Sequence, residues 1–147
     1  MYQHLLVATD GSKLSAKAVA HAMFLAKALG AKLTALYASP GYPVSIYAEG
    51  YPQVPMPRKE YTALCAKEAD KILKPIALKA EQAGLGFKAV HVLAEAPWEA
   101  ILAAARKAKC DGIVMASHGR RGVSALLLGS ETQKVLTHTK LPVVVVR

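Results

Sequence analysis

The chain has 147 residues, and its 19 Lys and Arg outweigh its 10 Asp and Glu, which gives a net charge of +9. Hydrophobic residues make up 53% and charged residues 20%, so a wholly disordered chain is excluded and one domain with its own core is expected. Two cysteines, Cys65 and Cys110, are too few for a disulfide scaffold. The positive balance favours anionic partners.

The chain shows no signal for a membrane. No apolar run reaches the roughly 18 residues that a membrane span requires. The N-terminus has no basic region ahead of its first apolar run, which is unlike a signal peptide. We therefore expect a cytoplasmic protein with no membrane partner.

The first part of the chain predicts a strand, a helix and a second strand. Residues 5–8 form a short apolar run, typical of a buried strand, and a turn sequence follows at 9–12. Apolar residues then recur at helical spacing over 14–29, and Gly30 stands where a C-terminal glycine cap is preferred. The next strand is predicted at 33–38.

Residues 40–57 differ in composition, because they contain five of the eight prolines. No helix is expected with that spacing, and we interpret the segment as one long, semi-rigid loop. The loop leaves the carboxyl end of the second strand. It is expected either to cover a bound base as a lid or to pack on its own tyrosines, Tyr42, Tyr47 and Tyr51.

The rest of the chain continues the alternation of helices and strands. A second helix is predicted from about Tyr61 to Gly84, with a kink at Pro75. The elements that follow are a strand at 87–93, a helix that starts at Pro97, a strand at 113–116, a helix that ends near Thr139, and a strand at 141–146.

This alternation predicts one α/β domain over residues 1–147, a doubly wound five-stranded parallel sheet with helices on both faces. In the strand order 3-2-1-4-5 the first and fourth strands are neighbours. Ligands of open doubly wound sheets bind at the carboxyl ends of the strands, where the winding reverses. Residues that follow the first and fourth strands should therefore line one crevice.

Asp10 follows the first strand and offers a carboxylate at this crevice. It is a candidate acceptor for a ribose hydroxyl or an adenine amine. An Asp before a Gly also commonly bonds to its own backbone in a turn. Both roles stay open at this point.

The segment from Ala116 to Ser130 is the most informative part of the sequence. Gly119 permits a close approach of the backbone to a ligand, and Gly129 precedes a helix whose first amides and dipole attract anions. Ser130 and Gln133 have the spacing of a capping box. Ser130 is therefore expected to cap the helix, to contact an anion, or to do both.

Two charged positions in this region have open roles. Arg120 is expected either to reach a phosphate or to be solvated. Glu131 suits the positive end of the helix dipole, but its charge would repel a phosphate unless the side chain turns to solvent.

With these residues together, the chain resembles the universal stress protein family. The ATP-binding motif of that family is Gly, two residues, Gly, nine residues, Gly, and then Ser or Thr. Gly119, Gly129 and Ser130 fill this motif, and Ala116 replaces its first glycine. The first strand with its turn and the last strand are also similar to those of the family, so the resemblance covers the whole chain.

The resemblance implies a five-stranded α/β protein, usually dimeric, that binds ATP, with or without Mg²⁺, and acts as a nucleotide-responsive stress regulator. Asp10 would lie near the ribose and adenine, Ala38 would meet adenine through its backbone, and main-chain amides would contact the phosphates. The candidate nucleotide-binding residues are Ala8, Thr9, Asp10, Ala38, Ala116, Ser117, His118, Gly119, Arg120, Gly129, Ser130 and Glu131.

Other functions agree less well with the sequence. Some family members do not bind ATP, so Ala116 keeps open a dimeric interaction protein with an empty crevice. A hydrolase built from Ser117, His118 and Asp10 lacks the G-x-S-x-G elbow, and we expect the two adjacent side chains to be poorly placed to hydrogen-bond. Without a P-loop lysine or an arginine finger, no turnover beyond slow ATP hydrolysis is expected. Nucleic-acid binding rests only on the charge and is not expected.

The last strand predicts a homodimer. In the order 3-2-1-4-5 it is an outer strand, and Val143–Val146 carries no charge. Pairing with the same strand of a second copy would satisfy its open backbone groups in a closed, self-complementary contact. The alternative is that another part of the same chain covers this edge.

Overall fold

The computed structural model describes residues 1–43, 47–48, 51–52, 56–119 and 128–147, with the backbone alone at 47–48 and 51–52. In chain order its elements are β1 (His4–Ala8), α1 (Lys13–Leu29), β2 (Lys32–Pro40), β3 (Tyr47–Ala48), β4 (Tyr51–Pro52), α2 (Arg58–Gln82), β5 (Phe87–Ala94), α3 (Pro97–Ala108), β6 (Gly112–Ala116), α4 (Ser130–His138) and β7 (Val143–Val146).

Five parallel strands form one sheet in the order β5-β2-β1-β6-β7. This is the predicted order 3-2-1-4-5 once the two-residue strands β3 and β4 are set aside, so the fold prediction is confirmed. β1 lies at the centre of the sheet, and its Leu6 pairs with Thr34 of β2 and with Ile113 of β6. None of these three side chains exposes any surface.

The two faces of the sheet carry separate apolar layers. Leu5 and Val7 belong to the buried cluster that α1 and α2 cover, whereas Leu6 belongs to the cluster that α3 and α4 cover. The alternation follows from the two-residue period of a strand. The apolar residues of the central strand are thereby directed into one layer or the other, as expected for a parallel sheet with helices on both faces.

The structure differs from the sequence prediction in several details. β2 runs two residues beyond the predicted end, to Pro40, and β7 starts at Val143 rather than at Leu141. Within the segment predicted as one loop, β3 pairs antiparallel with β4. Each of these strands is only two residues long, so the pairing is compatible with a proline-rich sequence. Pro75 lies inside α2, which continues past it to Gln82. Among the described residues, no helix is long and apolar enough to cross a bilayer.

Both ends of α1 are capped, and the cap at Gly30 is the one that the sequence predicts. The hydroxyl of Ser12 accepts the amide of Ser15 at 3.1 Å, which satisfies one amide at the start of the helix. At the other end Gly30 adopts a left-handed conformation with φ of +63°, and its N–H bonds to the carbonyls of the last turn.

We expect Gly30→Ala to lower the free energy of unfolding by about 1 kcal/mol, because an L-residue is strained in the left-handed region. A Cβ at this position would meet no atom within 4 Å, so the loss is conformational rather than steric. Urea unfolding measures it. Gly86→Ala is the control, because Gly86 has no positive φ and its new Cβ would meet only the flexible Lys32 side chain. Equal losses in the two variants would contradict the assignment.

Candidate functional site

The segments that follow β1 and β6 meet at the carboxyl edge of the sheet. A Cβ built on Gly119 would lie 2.7 Å from Oδ2 of Asp10, which is closer than real Cβ atoms come to other atoms. The lack of a side chain at Gly119 therefore allows the carboxylate to approach. The segments that follow the first and fourth strands of the parallel sheet therefore lie side by side, where the sequence predicts a crevice.

The turn after β1 is held by its own side chains. Oδ1 of Asp10 accepts the amide of Ser12 at 2.9 Å, which is the local turn bond expected of this residue. Oγ1 of Thr9 accepts the amide of Gly11 and lies 3.0 Å from Oγ of Ser15. One carboxylate oxygen of Asp10 thus fixes the turn, and the other lies toward Gly119.

Ser117 and His118 form the start of the second wall. Oγ of Ser117 lies 3.1 Å from Nδ1 of His118, so the expectation that these neighbours are poorly placed to hydrogen-bond is wrong. The backbone bends at both residues, and the side chains do not alternate as they would along a strand. Ser117 is only 4% exposed, so its hydroxyl is not presented to a substrate as a hydrolase nucleophile is.

The start of α4 lies against this wall. The amide of Gly129 donates to the carbonyl of Ser117 at 2.7 Å, and a Cβ on Gly129 would lie 3.0 Å from Cα of His118. This contact holds Gly129 in an extended conformation as the N-cap of the helix, and Ser130 is the first helical residue. The predicted capping box is therefore wrong, and the side chain of Gln133 donates to the carbonyl of Leu128 instead.

The amides of Ser130, Glu131 and Thr132 lie in the first turn of α4, at the positive end of the helix dipole. The first amides of an α-helix have no intrahelical acceptor, and together with the helix dipole they attract an anion. Thr132 also anchors the helix, because its buried Oγ1 donates to the carbonyl of Ala116 at 3.0 Å. This end of the crevice can therefore bind a negatively charged group through main-chain donors.

Ala116, which replaces the first glycine of the motif, is buried. Ala116 is 7% exposed and belongs to the apolar cluster that contains Val7 and Val114. The methyl group therefore contributes to the core on the α1 side of the sheet.

Glu131 makes a contact that the sequence did not predict. Its Oε2 accepts the backbone amide of Trp98 at 2.9 Å, and its Oε1 lies 3.2 Å from Nζ of Lys134. The carboxylate therefore turns to the start of α3 while it stays partly exposed to solvent. The sequence signal for such a contact is that Ala96, at the start of α3, has no side chain that could cap the helix. Nothing near Ala96 in sequence indicates which distant acid supplies the cap.

The remaining candidates have different positions. Ala8 and Ala38 are half-buried, and Ala38 pairs with Val92 inside β2 instead of ending the strand, because β2 is longer than predicted. Arg120 lies outside the described residues.

The loop after β2 is fixed where it begins and ends. The hydroxyl of Tyr42 donates to the carbonyl of Met56 at 2.6 Å, and its ring meets Tyr61 edge to face at 5.5 Å between centroids. The Arg58 guanidinium lies 4.8 Å from the centre of the same ring. Tyr42 thus packs at the base of the loop. The side chains of Tyr47 and Tyr51, which a lid would use, lie outside the described residues.

A polar cluster at β2 and β5 was not identified from the sequence. Nε2 of His91 lies 2.8 Å from Oγ of Ser39, and its ring stacks on Tyr37 at 5.8 Å between centroids. Partial burial lowers the pKa of His91, an effect that the Asp70 carboxylate opposes. Within the described residues, no group of three or more His, Cys, Asp or Glu could hold a metal ion.

The fold and this crevice define a doubly wound α/β protein with an anion-attracting helix N-terminus beside a carboxylate. The model of the universal stress protein family matches residues 1–147. The chain is 34% identical to universal stress protein YxiE of Bacillus subtilis over the full length of both chains. It is 32% identical to universal stress protein MJ0531 of Methanocaldococcus jannaschii, over all of this chain and 83% of that protein.

A solved structure agrees with these relatives. It is a crystal structure of a universal stress protein in complex with cAMP, with a TM-score of 0.73 and 27% sequence identity to this chain. The match covers 99% of this chain and 97% of that chain. The protein belongs to the universal stress protein family.

We expect Thr132→Val to lower the free energy of unfolding by about 1–2 kcal/mol, because the buried carbonyl of Ala116 loses its donor without a change of side-chain shape. Denaturant unfolding measures this loss. Thr137→Val is the matched control, since Thr137 lies on the same helix, is exposed, and bonds only to the carbonyl of Gln133. A loss in the control as large as that in Thr132→Val would show that the buried bond does not anchor α4.

Proposed function

We propose that this protein binds an adenine nucleotide, ATP with or without Mg²⁺, in the crevice between β1 and β6, and acts as a nucleotide-responsive stress regulator. The observation that carries the proposal is the juxtaposition of Asp10 with Gly119, close to the start of α4. An acceptor for hydroxyl groups and a set of donors for anions thereby face one crevice.

The chemistry of a nucleotide matches this arrangement. Its phosphates are acceptors that suit the amides of Ser130, Glu131 and Thr132, and its ribose hydroxyls are donors that suit the carboxylate of Asp10. The net charge of +9 favours the approach of a polyanion. The relative that was solved with cAMP supports adenine as the base.

The other candidates have subsidiary roles in the proposal. Backbone groups at the ends of β1 and β2 would meet the adenine, and the bend after β6 would lie under the ribose. Arg120 would add charge near the phosphates. The residues assigned to the adenine and ribose ends are Ala8, Thr9, Ala38, Ala116, Ser117 and His118.

We expect the protein to bind ATP without efficient catalysis. Ser117 is buried and bonded to His118, and the sequence has no P-loop lysine. Among the site residues that the structure describes, none is presented as a positioned nucleophile. Any hydrolysis of ATP is therefore expected to be slow.

Calorimetry with ATP and Mg²⁺ tests the site. We expect Asp10→Asn to bind ATP roughly fivefold or more weakly than the unmodified protein, because one acceptor oxygen and the charge are lost. The amide oxygen of Asn can still accept the amide of Ser12, so the turn should survive. This makes Asp10→Asn a sharper variant than a bulky residue at Gly129, which would collide with His118 whether or not a nucleotide is bound.

Asp70→Asn is the control, because Asp70 is an exposed carboxylate on α2 that pairs with Lys74 at 2.7 Å and not with the residues of the proposed site. It should bind ATP as the unmodified protein does. No heat and no thermal shift of the unmodified protein at millimolar ATP would reject nucleotide binding. That result would favour the alternative of a dimeric interaction protein with an empty crevice.

The proposal includes a homodimer through β7. Among the described residues β7 is the last strand of the sheet, and all four of its valines are half-buried. The carbonyls of Pro142 and Val146 accept amides from β6, so the alternation along a strand directs the N–H and C=O of Val145 to the open edge. An apolar edge of this kind is a template for pairing with a second strand.

We expect Val145→Pro to give a monomer, because proline removes the outward N–H that the second copy would use and is tolerated at an edge. Val145→Thr keeps that N–H and the branched shape, and should remain dimeric. Light scattering with sedimentation measures the mass of each. A monomeric unmodified protein at high micromolar concentration would reject the dimer.

A further inference from the structure

Glu131 occupies an unexpected position for an acid beside a phosphate site. Its amide is one of the donors at the start of α4, yet its carboxylate reaches out of that helix to α3. Oε2 accepts the amide of Trp98 at 2.9 Å, and Oε1 lies 3.2 Å from Nζ of Lys134. The charge therefore faces the positive end of a second helix and a cation.

We propose that Glu131 is a positioning residue of the nucleotide site, which fixes the direction of the α4 amides through its bond to Trp98. The inference rests on the proposed function. Its basis is the set of contacts that hold the first turn of α4.

Among the described residues, three hydrogen bonds attach this turn to other elements of the protein. The amide of Gly129 donates to Ser117, and Oγ1 of Thr132 donates to Ala116, so these two bonds lead to the end of one strand, β6. Hydrogen bonds to one strand alone restrict a pivot of the helix about that strand less than an additional bond to a second element does. The bond from Glu131 to Trp98 leads to a different element, and it restricts this pivot.

Trp98 is well placed for this role because it contacts both ends of α4. Its amide meets Glu131 in the first turn, and its ring lies 4.5 Å from the ring of His138, the last residue of the helix, centroid to centroid. α3 and α4 are therefore held side by side along the whole length of α4. A change in the direction of α4 must alter the surroundings of the indole.

The bond also serves α3. Ala96, the N-cap of α3, has no side chain that could accept an amide, so Glu131 supplies the acceptor from another helix. A purely structural role would end with this cap. A positioning role requires in addition that the folded protein binds nucleotide less well when the bond is lost.

Glu131→Ala and Glu131→Gln separate the bond from the charge. Both remove the charge, but the amide oxygen of Gln can still accept the amide of Trp98. With ATP as the probe and at a temperature where all variants are folded, we expect Glu131→Ala to bind about fivefold to tenfold more weakly. Glu131→Gln should bind as tightly as the unmodified protein or more tightly, since no charge opposes the phosphates.

The chain has one tryptophan, so its fluorescence reports on Trp98 alone. We expect ATP to change the emission of the unmodified protein and of Glu131→Gln, and the emission of Glu131→Ala without ATP to differ from both. Glu99→Ala is the control. It removes an exposed acid from the first turn of the same helix, α3, and should leave both ATP affinity and emission unchanged.

The outcomes are distinct. If the unmodified protein binds ATP and Glu131→Ala binds it equally well, the inference is overturned and the proposed function stands. If Glu131→Gln fails as Glu131→Ala does, the charge and not the bond is responsible, and the positioning role is also overturned. If the unmodified protein binds no ATP, the proposed function fails, and the inference fails with it.

Discussion

The parallel pairing of β1 with β6 is the contact on which the arrangement of the crevice depends. Val7 lies opposite Val114 in this pairing, and neither exposes any surface. Parallel neighbours end at the same edge of the sheet, so the chain leaves both strands at one place. Asp10 and Gly119 come together for this reason, although they are more than one hundred residues apart in sequence. A chain with another strand between β1 and β6 would carry the same motifs and have no crevice.

The second half of the crevice depends on a helix rather than on the sheet. The amides at the start of α4 are useful to a ligand only if the helix has a fixed direction. That direction depends on the bonds from Gly129 to Ser117 and from Thr132 to Ala116. The contacts that stabilise α4 and those that aim its donors are therefore the same. Stability and ligand geometry are coupled at this end of the site.

The sequence by itself determined the elements, their order in the sheet and the positions of the motif. The two-residue period of strands, the helical spacing of α1 and the cap at Gly30 are set by residues close together in the chain. The strand order followed because right-handed crossovers leave few topologies for such an alternation. Asp10 and Gly119 could be assigned to one crevice from that order alone. Local chemistry also predicted the turn bond of Asp10.

Only the tertiary structure decided the finer contacts of the site. The sequence left the direction of the Glu131 side chain open, and in the structure it accepts the amide of Trp98. The capping role considered for Ser130 does not occur, because Gly129 is the N-cap and Ser130 is the first helical residue. The bond between Ser117 and His118 follows from a bend that no residue pattern marks. Each contact forms only where packing brings two groups within about 3 Å of each other. A sequence pattern contains no information about such distances.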